Sequence, residues 1–334
     1  MTDYKAIKGK TILSVASDLG NAEGEGEIWF NTTSSDYKTI VKVAGAWASG
    51  GDTNTGRDAH SGGAGTQTAG LMAGGWVNAP GGTANSEEYD GSSWTEGTNL
   101  GAALYQNSGA GTQTAGLSIG SQSVATDVQE YNGTSWAEGG DLPSPASGTG
   151  THLCLGTQTA AISAGGGTGP GASLATSVSY DGSSWTELAT VGNSRFSGGG
   201  AGTTTAGVIF GGLDPTRTTD TEEFDGSSWT EVNNMNTACS YIGGGQGIQT
   251  DAMTFGGSVP AVTAKTELYN GNTWTEAGDL STARTQLGQS TGETSTGSGL
   301  AICGGPGRKD DTEEWNFSST TTGPGAQNIK IITD

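Results

Sequence analysis

The stretch EEYDGSSW, residues 87–94, recurs with small changes four more times along the chain. The other copies are QEYNGTSW, VSYDGSSW, EEFDGSSW and ELYNGNTW, which end at Trp136, Trp185, Trp229 and Trp274. In each copy an Asp-Gly or Asn-Gly dipeptide, whose residues readily adopt positive φ, separates two short segments of strand character. The pattern predicts a β-hairpin that carries two large aromatic side chains, repeated along the chain.

Two turn geometries place both aromatic side chains on one face of this hairpin. A two-residue turn would pair Tyr89 with Ser92 and Glu87 with Trp94, whereas a four-residue turn would pair Tyr89 directly with Trp94. We interpret the aromatic pair as the contact between one repeat and the next. The alternative interpretation is a ladder of carbohydrate-binding sites built from the same rings.

The spacing of the repeat indicates a β-propeller. Trp47 precedes the five copies, and successive tryptophans lie 42 to 49 residues apart, a period typical of propeller blades. One blade is visible in residues 195–232, where RFSGGGAG, TTAGVIFGG, DTEEFDG and SSWTEV correspond to strands a to d. The aromatic residues that we assign to the structural repeat are Trp47, Tyr89, Trp94, Tyr131, Trp136, Tyr180, Trp185, Phe224, Trp229, Tyr269, Trp274 and Trp315.

Two further features recur in order with the hairpin. Strand b ends in a glycine pair, which permits positive φ or a close backbone approach, at Gly74-Gly75, Gly165-Gly166, Gly211-Gly212, Gly256-Gly257 and Gly304-Gly305. An arginine follows the tryptophan by ten residues in three units, at Arg57, Arg195 and Arg284. Over residues 45–320 these features resemble the kelch repeat, and the resemblance implies a propeller fold without implying a particular activity.

The number of blades follows from the signals for strands a and b. They occur six times, near residues 60–73, 105–119, 148–164, 196–210, 241–255 and 287–302. The last hairpin is degenerate, while YKTIVKVAGAW, residues 37–47, supplies a strand d that no a–b pair precedes. We therefore predict an all-β, kelch-like propeller of six four-stranded blades whose ring is closed by residues 37–49. The alternative is a seventh blade formed by residues 1–47.

This prediction divides the chain into three parts. Residues 1–36 form an N-terminal attachment segment, residues 37–322 form the propeller, and residues 323–334 form a C-terminal strand or tail. Within the first part, GEIWFNTTSSDYKTI predicts a strand, a polar turn and a second strand.

Composition argues against several classes of partner. The chain is rich in glycine, with 61 in 334 residues, and carries a net charge of −21 from 34 acidic and 13 basic residues. So acidic a protein repels a phosphate backbone, and we expect no nucleic-acid partner. No apolar stretch is long enough for a signal peptide or a membrane span, so we expect no membrane insertion. Cys154, Cys239 and Cys303 show neither metal nor disulfide spacing and predict buried free thiols.

The sequence carries no pattern typical of a catalytic site. His60 and His152 are its only histidines, lie in strand-a regions two blades apart, and predict satisfied or exposed side chains. The strand-c pairs Glu87-Glu88, Glu222-Glu223 and Glu313-Glu314 predict a solvated outer edge. We therefore expect no enzymatic activity, no cofactor and no bound metal. A propeller enzyme stays as the least favoured alternative.

A second resemblance concerns function. GEIWFNTTSSDYKTI, followed by GAWASGGDTNTGR and AGTQTAGL, looks like the opening of virion structural proteins of marine tailed bacteriophages, of the tail-fibre or tail-associated kind. The resemblance implies a non-enzymatic particle component, assembled in the bacterial host cytoplasm, that acts in host attachment or particle assembly. We expect it to contact other virion proteins through residues 1–36, to meet a host surface glycan or receptor, and to form a homo-oligomer. The alternatives are a carbohydrate-binding propeller lectin and an N-terminal segment that merely covers the ring.

Overall fold

The structure is a computed structural model, which describes residues 13–15, 28–33, 36–42, 45–58, 62–78, 81–143, 151–169, 172–243, 245–288, 295–317 and 319–321. The described residues contain strands and turns but no helix. The chain divides into two compact units. One is Ala46–Asn316, and the other combines Met1–Gly45 with Phe317–Asp334.

Residues 46–316 form a six-bladed β-propeller of four-stranded antiparallel blades, as the repeat predicts. Strands a to d of each blade run from the centre of the ring outward. In blade 1 they are Gly62–Thr66, Ala69–Ala73, Ser86–Tyr89 and Trp94–Glu96. In blade 2 they are Ser108–Thr112, Ala115–Ile119, Val128–Tyr131 and Trp136–Glu138. In blade 3 they are Leu153–Thr157, Ala160–Ala164, Ser177–Tyr180 and Trp185–Glu187. In blade 4 they are Gly199–Thr203, Ala206–Phe210, Thr221–Phe224 and Trp229–Glu231. In blade 5 they are Gln246–Ile248, Asp251–Phe255, Thr266–Tyr269 and Trp274–Glu276.

Blade 6 joins the two ends of the propeller. Its strands b and c are Ser298–Gly304 and Lys309–Asn316, and its strand d is Ala46–Ser49, which comes from the start of the unit. Trp47 lies directly opposite Trp315 across this last pair of strands. In the strand-a position, Gly288 bridges to Ile302. Closure of the ring by an N-terminal strand is thus confirmed.

The predicted closing segment was too long at its N-terminal end. Asp36–Lys42 lies instead in a second sheet, between Ile28–Asn31 on one side and Ser319–Thr321 on the other. Because both of its edges are occupied there, it cannot also complete blade 6. The propeller unit is therefore narrower than the predicted range 37–322, and the predicted tail, residues 323–334, lies outside the described residues.

The second sheet has four strands in the order Leu13–Val15, Ile28–Asn31, Asp36–Lys42 and Ser319–Thr321. The strand–turn–strand prediction for residues 26–40 is confirmed by the antiparallel pairing of its two middle strands. Leu13–Val15 pairs in parallel with Ile28–Asn31, unlike any strand pair of the blades. The alternative of a seventh blade is wrong, because blade 6 contacts blade 1 directly: Gln67 Nε2 donates to the Trp315 carbonyl at 2.9 Å.

Additional two-stranded ribbons extend the connection between strands b and c in three blades. They are Trp76–Asn78 with Gly81–Gly82, Gly167–Gly169 with Ala172–Ser173, and Leu213–Asp214 with Thr216–Arg217. The ribbons of blades 1 and 4 lie beside the chain that enters strand a of the same blade, as shown by the bridges of Asp58 to Trp76 and of Phe196 to Leu213. We call this side of the ring, formed by the d–a and b–c connections, the loop face.

The small side chains of strand a are required by the crowding at the centre of the ring. A Cβ atom at Gly109 of blade 2 would lie 2.3 Å from the carbonyl oxygen of Gly63 in blade 1. The apolar core is correspondingly divided among the interfaces between blades. Between blades 2 and 3, for example, Leu117 and Ile119 cluster with Val178 and Tyr180. Burial of these side chains, at ~25 cal/mol per Å² of apolar surface, stabilises each pair of blades.

Candidate functional site

The aromatic hairpins adopt the four-residue turn. Tyr89 lies directly opposite Trp94, and their ring centroids are 4.9 Å apart. The turn is held by Asp90, whose Oδ1 accepts the backbone N–H groups of Ser92 at 2.9 Å and Ser93 at 2.8 Å. Hydrogen bonds from the Ser92 hydroxyl and from these amides lower the pKa of Asp90. The other four hairpins have the same direct pairing of their two aromatic residues.

Each hairpin tryptophan donates a hydrogen bond from its indole N–H to the preceding blade. In five blades the acceptor is a hydroxyl of strand c: Trp47 to Thr266, Trp94 to Thr312, Trp136 to Ser86, Trp229 to Ser177 and Trp274 to Thr221. In blade 3 the acceptor is the Gly140 carbonyl, at 2.7 Å from Trp185 Nε1. Trp94 and Trp274 are each 6% exposed, and the other four are half-buried. The indoles therefore connect blades, and burial is most complete at Trp94 and Trp274.

The hairpin tyrosines make a second contact between blades. Tyr89 OH donates to Glu314 at 2.6 Å, Tyr180 OH to Glu130 at 2.6 Å, Tyr269 OH to Glu223 at 2.9 Å, and Tyr131 OH to Glu88. Burial, together with the neighbouring carboxylate, raises the pKa of Tyr131 to about 12. Blade 4 has Phe224 in the tyrosine position, and the facing residue of blade 3 is Ser179 rather than a glutamate. The hydroxyl and its acceptor are thus both missing from the same interface.

The first glutamate of each strand-c pair is buried in an ion pair. Glu87, Glu222 and Glu313 are at most 2% exposed and pair with Arg57, Arg195 and Arg284 respectively. The prediction of a solvated outer edge was wrong for these glutamates, because the chain that enters strand a of the same blade covers them. The second glutamate of each pair is half-buried and accepts from a tyrosine of the next blade. A buried ion pair is tolerated when further hydrogen bonds satisfy its polar atoms. Arg57 accordingly donates from Nη1 to the carbonyls of Gly74 at 2.8 Å and Asn85 at 3.0 Å.

The glutamine of the a–b turn also serves blade contacts, a role that the sequence analysis missed. Gln113 Nε2 donates to the carbonyls of Gly70 at 3.0 Å and Tyr89 at 2.7 Å, both in the preceding blade. Gln158 and Gln249 make the corresponding pairs of bonds. The signal that could have revealed the role is the recurrence of GTQTA immediately before strand b.

The two histidines do not form a site in the described structure. His60 lies outside the described residues. His152 is 1% exposed, and neither ring nitrogen has a hydrogen-bond partner of normal geometry among the described residues. Burial lowers the pKa of His152 to about 4. The side chain is therefore not exposed, and the backbone of Gly165 is the polar group that interacts with its ring.

The described residues contain no group of three or more His, Cys, Asp and Glu side chains that could hold a metal ion. Cys154, Cys239 and Cys303 are free and buried, as the sequence predicts. Burial raises the pKa of Cys154 to about 12, so the group stays a thiol. A search of the described residues finds no helix that could span a membrane.

Half-buried aromatic side chains outside the repeat lie on the loop face. Trp76 and Tyr105 pack edge to face with their ring centroids 4.9 Å apart, and Phe196 and Tyr241 are 6.4 Å apart. Both pairs connect successive blades, since Tyr105 and Tyr241 precede strand a of blades 2 and 5. Sequence reasoning missed these pairs because they do not recur with the hairpin. Exposed ring surface of this kind can stack on a ligand.

The chain is a six-bladed β-propeller, and its repeat is consistent with a kelch-like propeller. No protein-family model matches the chain, and a search of curated proteins finds no similar sequence. The fold is compatible with a structural or a binding role.

Proposed function

We propose that this protein is a non-enzymatic structural component of a bacteriophage virion, of the tail-fibre or tail-associated class. It acts in attachment to the host surface or in assembly of the particle. The resemblance of the chain to virion proteins of marine tailed phages motivates the proposal, and the acidic propeller is compatible with it.

One observation carries the structural role. In the described propeller, the recurring tryptophans, tyrosines, arginines and glutamates make hydrogen bonds or ion pairs within their own blade or with the neighbouring blade. These contacts hold the blades together in a rigid ring. They explain why the residues recur, without a further role in chemistry. A rigid, highly charged ring resists self-association and suits a component exposed on a particle.

The second sheet supports attachment through the N-terminal segment. Leu13–Val15 and Ser319–Thr321 are its edge strands among the described residues. An edge strand can pair with a strand of another chain, and its main-chain hydrogen bonds then provide affinity. The first 42 residues hold five of the 13 basic residues and only six acidic ones, so they are nearly neutral, unlike the rest of the chain. We propose that this segment contacts other virion proteins and that symmetric copies form a homo-oligomer.

Purified particles test this proposal. We expect the protein to be found in the particles by mass spectrometry, and a reconstruction or cross-linking map to show contacts from residues 1–36. A reconstruction in which only residues 46–316 touch the particle would contradict the anchor. Absence of the protein from particles of the phage that encodes it would contradict the virion function itself.

The second candidate function is a carbohydrate-binding lectin, which is favoured by the aromatic pair of Trp76 and Tyr105 on the loop face. Binding to a glycan array by the purified protein would support this function. We then expect Trp76→Ala to abolish binding while leaving the melting temperature nearly unchanged. As the matched control, Trp185→Ala removes a hairpin indole and should lower stability without loss of glycan affinity per folded molecule.

A further inference from the structure

In blades 1, 4 and 6, an arginine paired with a strand-c glutamate fills the recess between strands b and c. In blade 1, Arg57 Nη2 contacts Glu87 Oε1, and Nη1 donates to the carbonyls of Gly74 and Asn85. Blade 6 repeats the arrangement, with Arg284 bound to Glu313 and to the carbonyls of Cys303 at 3.0 Å and Asp311 at 2.7 Å. A cationic group thus faces one carboxylate and two backbone oxygens.

Blade 5 keeps the acceptors of this recess but not the arginine. Cys239 stands ten residues after Trp229, where blades 1, 4 and 6 have arginine, and Glu267 corresponds to Glu87. Glu267 Oε2 accepts from Asn236 at 2.8 Å and 3.1 Å, as Glu87 Oε2 accepts from Asn54 at 2.7 Å and 3.1 Å. Glu267 is 2% exposed, and its Oε1, the atom that would meet the guanidinium, has no hydrogen-bond partner among the described residues.

A small cavity lies at this point. Its lining includes Met235, Cys239, Thr254, Gly256, Lys265 and Glu267, and its volume is about 10 Å³, room for one particle of the size of a water molecule. Thr254 is 3% exposed, and its Oγ1 also has no partner in the described part of the chain. Two buried oxygens without partners therefore belong to the lining of one cavity.

The nearby basic side chains bind elsewhere. Lys265 Nζ donates to Glu276 Oε1 at 2.7 Å and to Thr237 Oγ1 at 3.3 Å. Arg217 Nη2 donates to Ser258 Oγ at 2.9 Å. A buried carboxylate without a bound cation carries a desolvation penalty of several kcal/mol. A water molecule in the cavity would satisfy hydrogen bonds but would bring no positive charge to Glu267 Oε1. Lys265, whose pKa is raised mainly by Glu276 and less by Glu267, directs its ammonium group to Glu276 and Thr237.

We propose that the blade 5 cavity binds one dehydrated monovalent cation of the size of potassium or ammonium. Its ligands are Glu267 Oε1, Thr254 Oγ1 and the carbonyl oxygens of Gly256 and Lys265, which correspond to Gly74 and Asn85 in blade 1. Carbonyl and hydroxyl oxygens replace the hydration shell of such ions. Magnesium and calcium fit poorly, because they take six or more oxygen ligands, usually with several carboxylates or retained waters.

The cation dependence of stability tests the proposal. Melting temperatures are measured in potassium, ammonium and tetramethylammonium chloride at equal ionic strength, since the last cation is too large for the cavity. A ligand that binds only the folded state stabilises it by RT ln(1 + [L]/Kd). We therefore expect the melting temperature to rise with the logarithm of potassium or ammonium concentration and to stay lower in tetramethylammonium.

Two variants locate the effect. Glu267→Gln removes the charge at nearly constant volume, and Cys239→Arg restores the guanidinium that blades 1, 4 and 6 contain. Both should lose the difference between potassium and tetramethylammonium, whereas Glu96→Gln, which removes an exposed carboxylate of blade 1, should retain it. Crystals of the unaltered protein grown with thallium(I) or rubidium should show an anomalous peak beside Glu267 Oε1. Equal melting temperatures of the unaltered protein in the three salts, or a cavity without this peak, would overturn the proposal.

Discussion

Arg57 and Glu87 show how single residues keep charge inside this propeller. Neither side chain has measurable exposure, and every contact of Arg57 in the recess is to an acceptor of the same blade. Blade 2 solves the same packing problem without an arginine–glutamate pair, because Leu104 and Gln129 stand in the corresponding positions and are buried, and Gln129 Nε2 donates to Asp127 at 3.0 Å. The chain therefore contains this site both with and without an arginine–glutamate ion pair.

The comparison of blades 1 and 2 predicts how stability changes when the ion pair of blade 1 is replaced by the residue types of blade 2. Arg57→Leu alone leaves Glu87 buried without its cation and should lower the free energy of unfolding by ~3–5 kcal/mol. Adding Glu87→Gln recreates the blade 2 combination and should recover a large part of this loss. Urea unfolding of the two variants and of the unaltered protein measures both values. Equal losses in the single and the double variant would show that the ion pair is not the source of the cost.

His152 predicts an acid-dependent loss of stability. Burial lowers its pKa from 6.5 to about 4, so the unfolded state binds the proton first as the pH falls. The contribution is fully present above pH 6.5 and decreases as the pH falls from 6.5 towards 4, by up to about 3 kcal/mol. Urea unfolding between pH 4 and 7 measures this slope. The variant His152→Leu should lose that part of the slope, and an unchanged slope would contradict the assignment to His152.

At the scale of the element, the hairpin was the most predictable part of the fold. The Asp-Gly turn and the two aromatic residues are adjacent in sequence, so local rules determine that they pair on one face. The partners of these residues were not predictable in the same way. Tyr131 reaches Glu88 across 43 residues, and Arg57 reaches Glu87 across 30 residues. Such contacts depend on how strands of one blade and of neighbouring blades are placed, which sequence spacing alone does not give.

Removal of one hairpin indole tests its role as a connection between blades. Trp94 is 6% exposed and donates to Thr312 of blade 6 at 2.9 Å. Trp94→Ala should lower the free energy of unfolding by ~3–5 kcal/mol, because it leaves a large cavity between two blades. Trp185→Ala should cost less, since the Trp185 side chain is only half-buried. If both changes leave chemical unfolding unaltered and abolish glycan binding instead, the indoles form a binding surface.

At the scale of the molecule, the number of blades was predictable because six a–b signals recur, and the closure was predictable because Trp47 lacked a preceding a–b pair. The N-terminal boundary of the closing segment was not predictable, since residues 36–42 have strand character as strong as that of residues 46–49. Their pairing with Ile28–Asn31 and, from the other end of the chain, with Ser319–Thr321 shows that these residues belong to a different sheet. The blade 5 cavity was not predictable either. The sequence shows Cys239 in the position of the arginine, but only the structure shows that the acceptors around this position are buried and lack partners among the described residues.

The position of the closing strand gives the last prediction, a difference between two shortened proteins. Residues 46–316 contain all the described strands of the ring, whereas residues 51–316 lack strand d of blade 6. The shorter protein loses the Trp47 contacts to Phe255 and Trp315, at ring distances of 4.8 Å and 5.4 Å, and exposes the edge of Lys309–Asn316. An unpaired strand edge can associate with another chain.

We expect the protein of residues 46–316 to be monomeric by light scattering, and that of residues 51–316 to melt about 10 °C lower or to oligomerise. Identical melting and mass for the two proteins would show that Ala46–Ser49 does not close the ring.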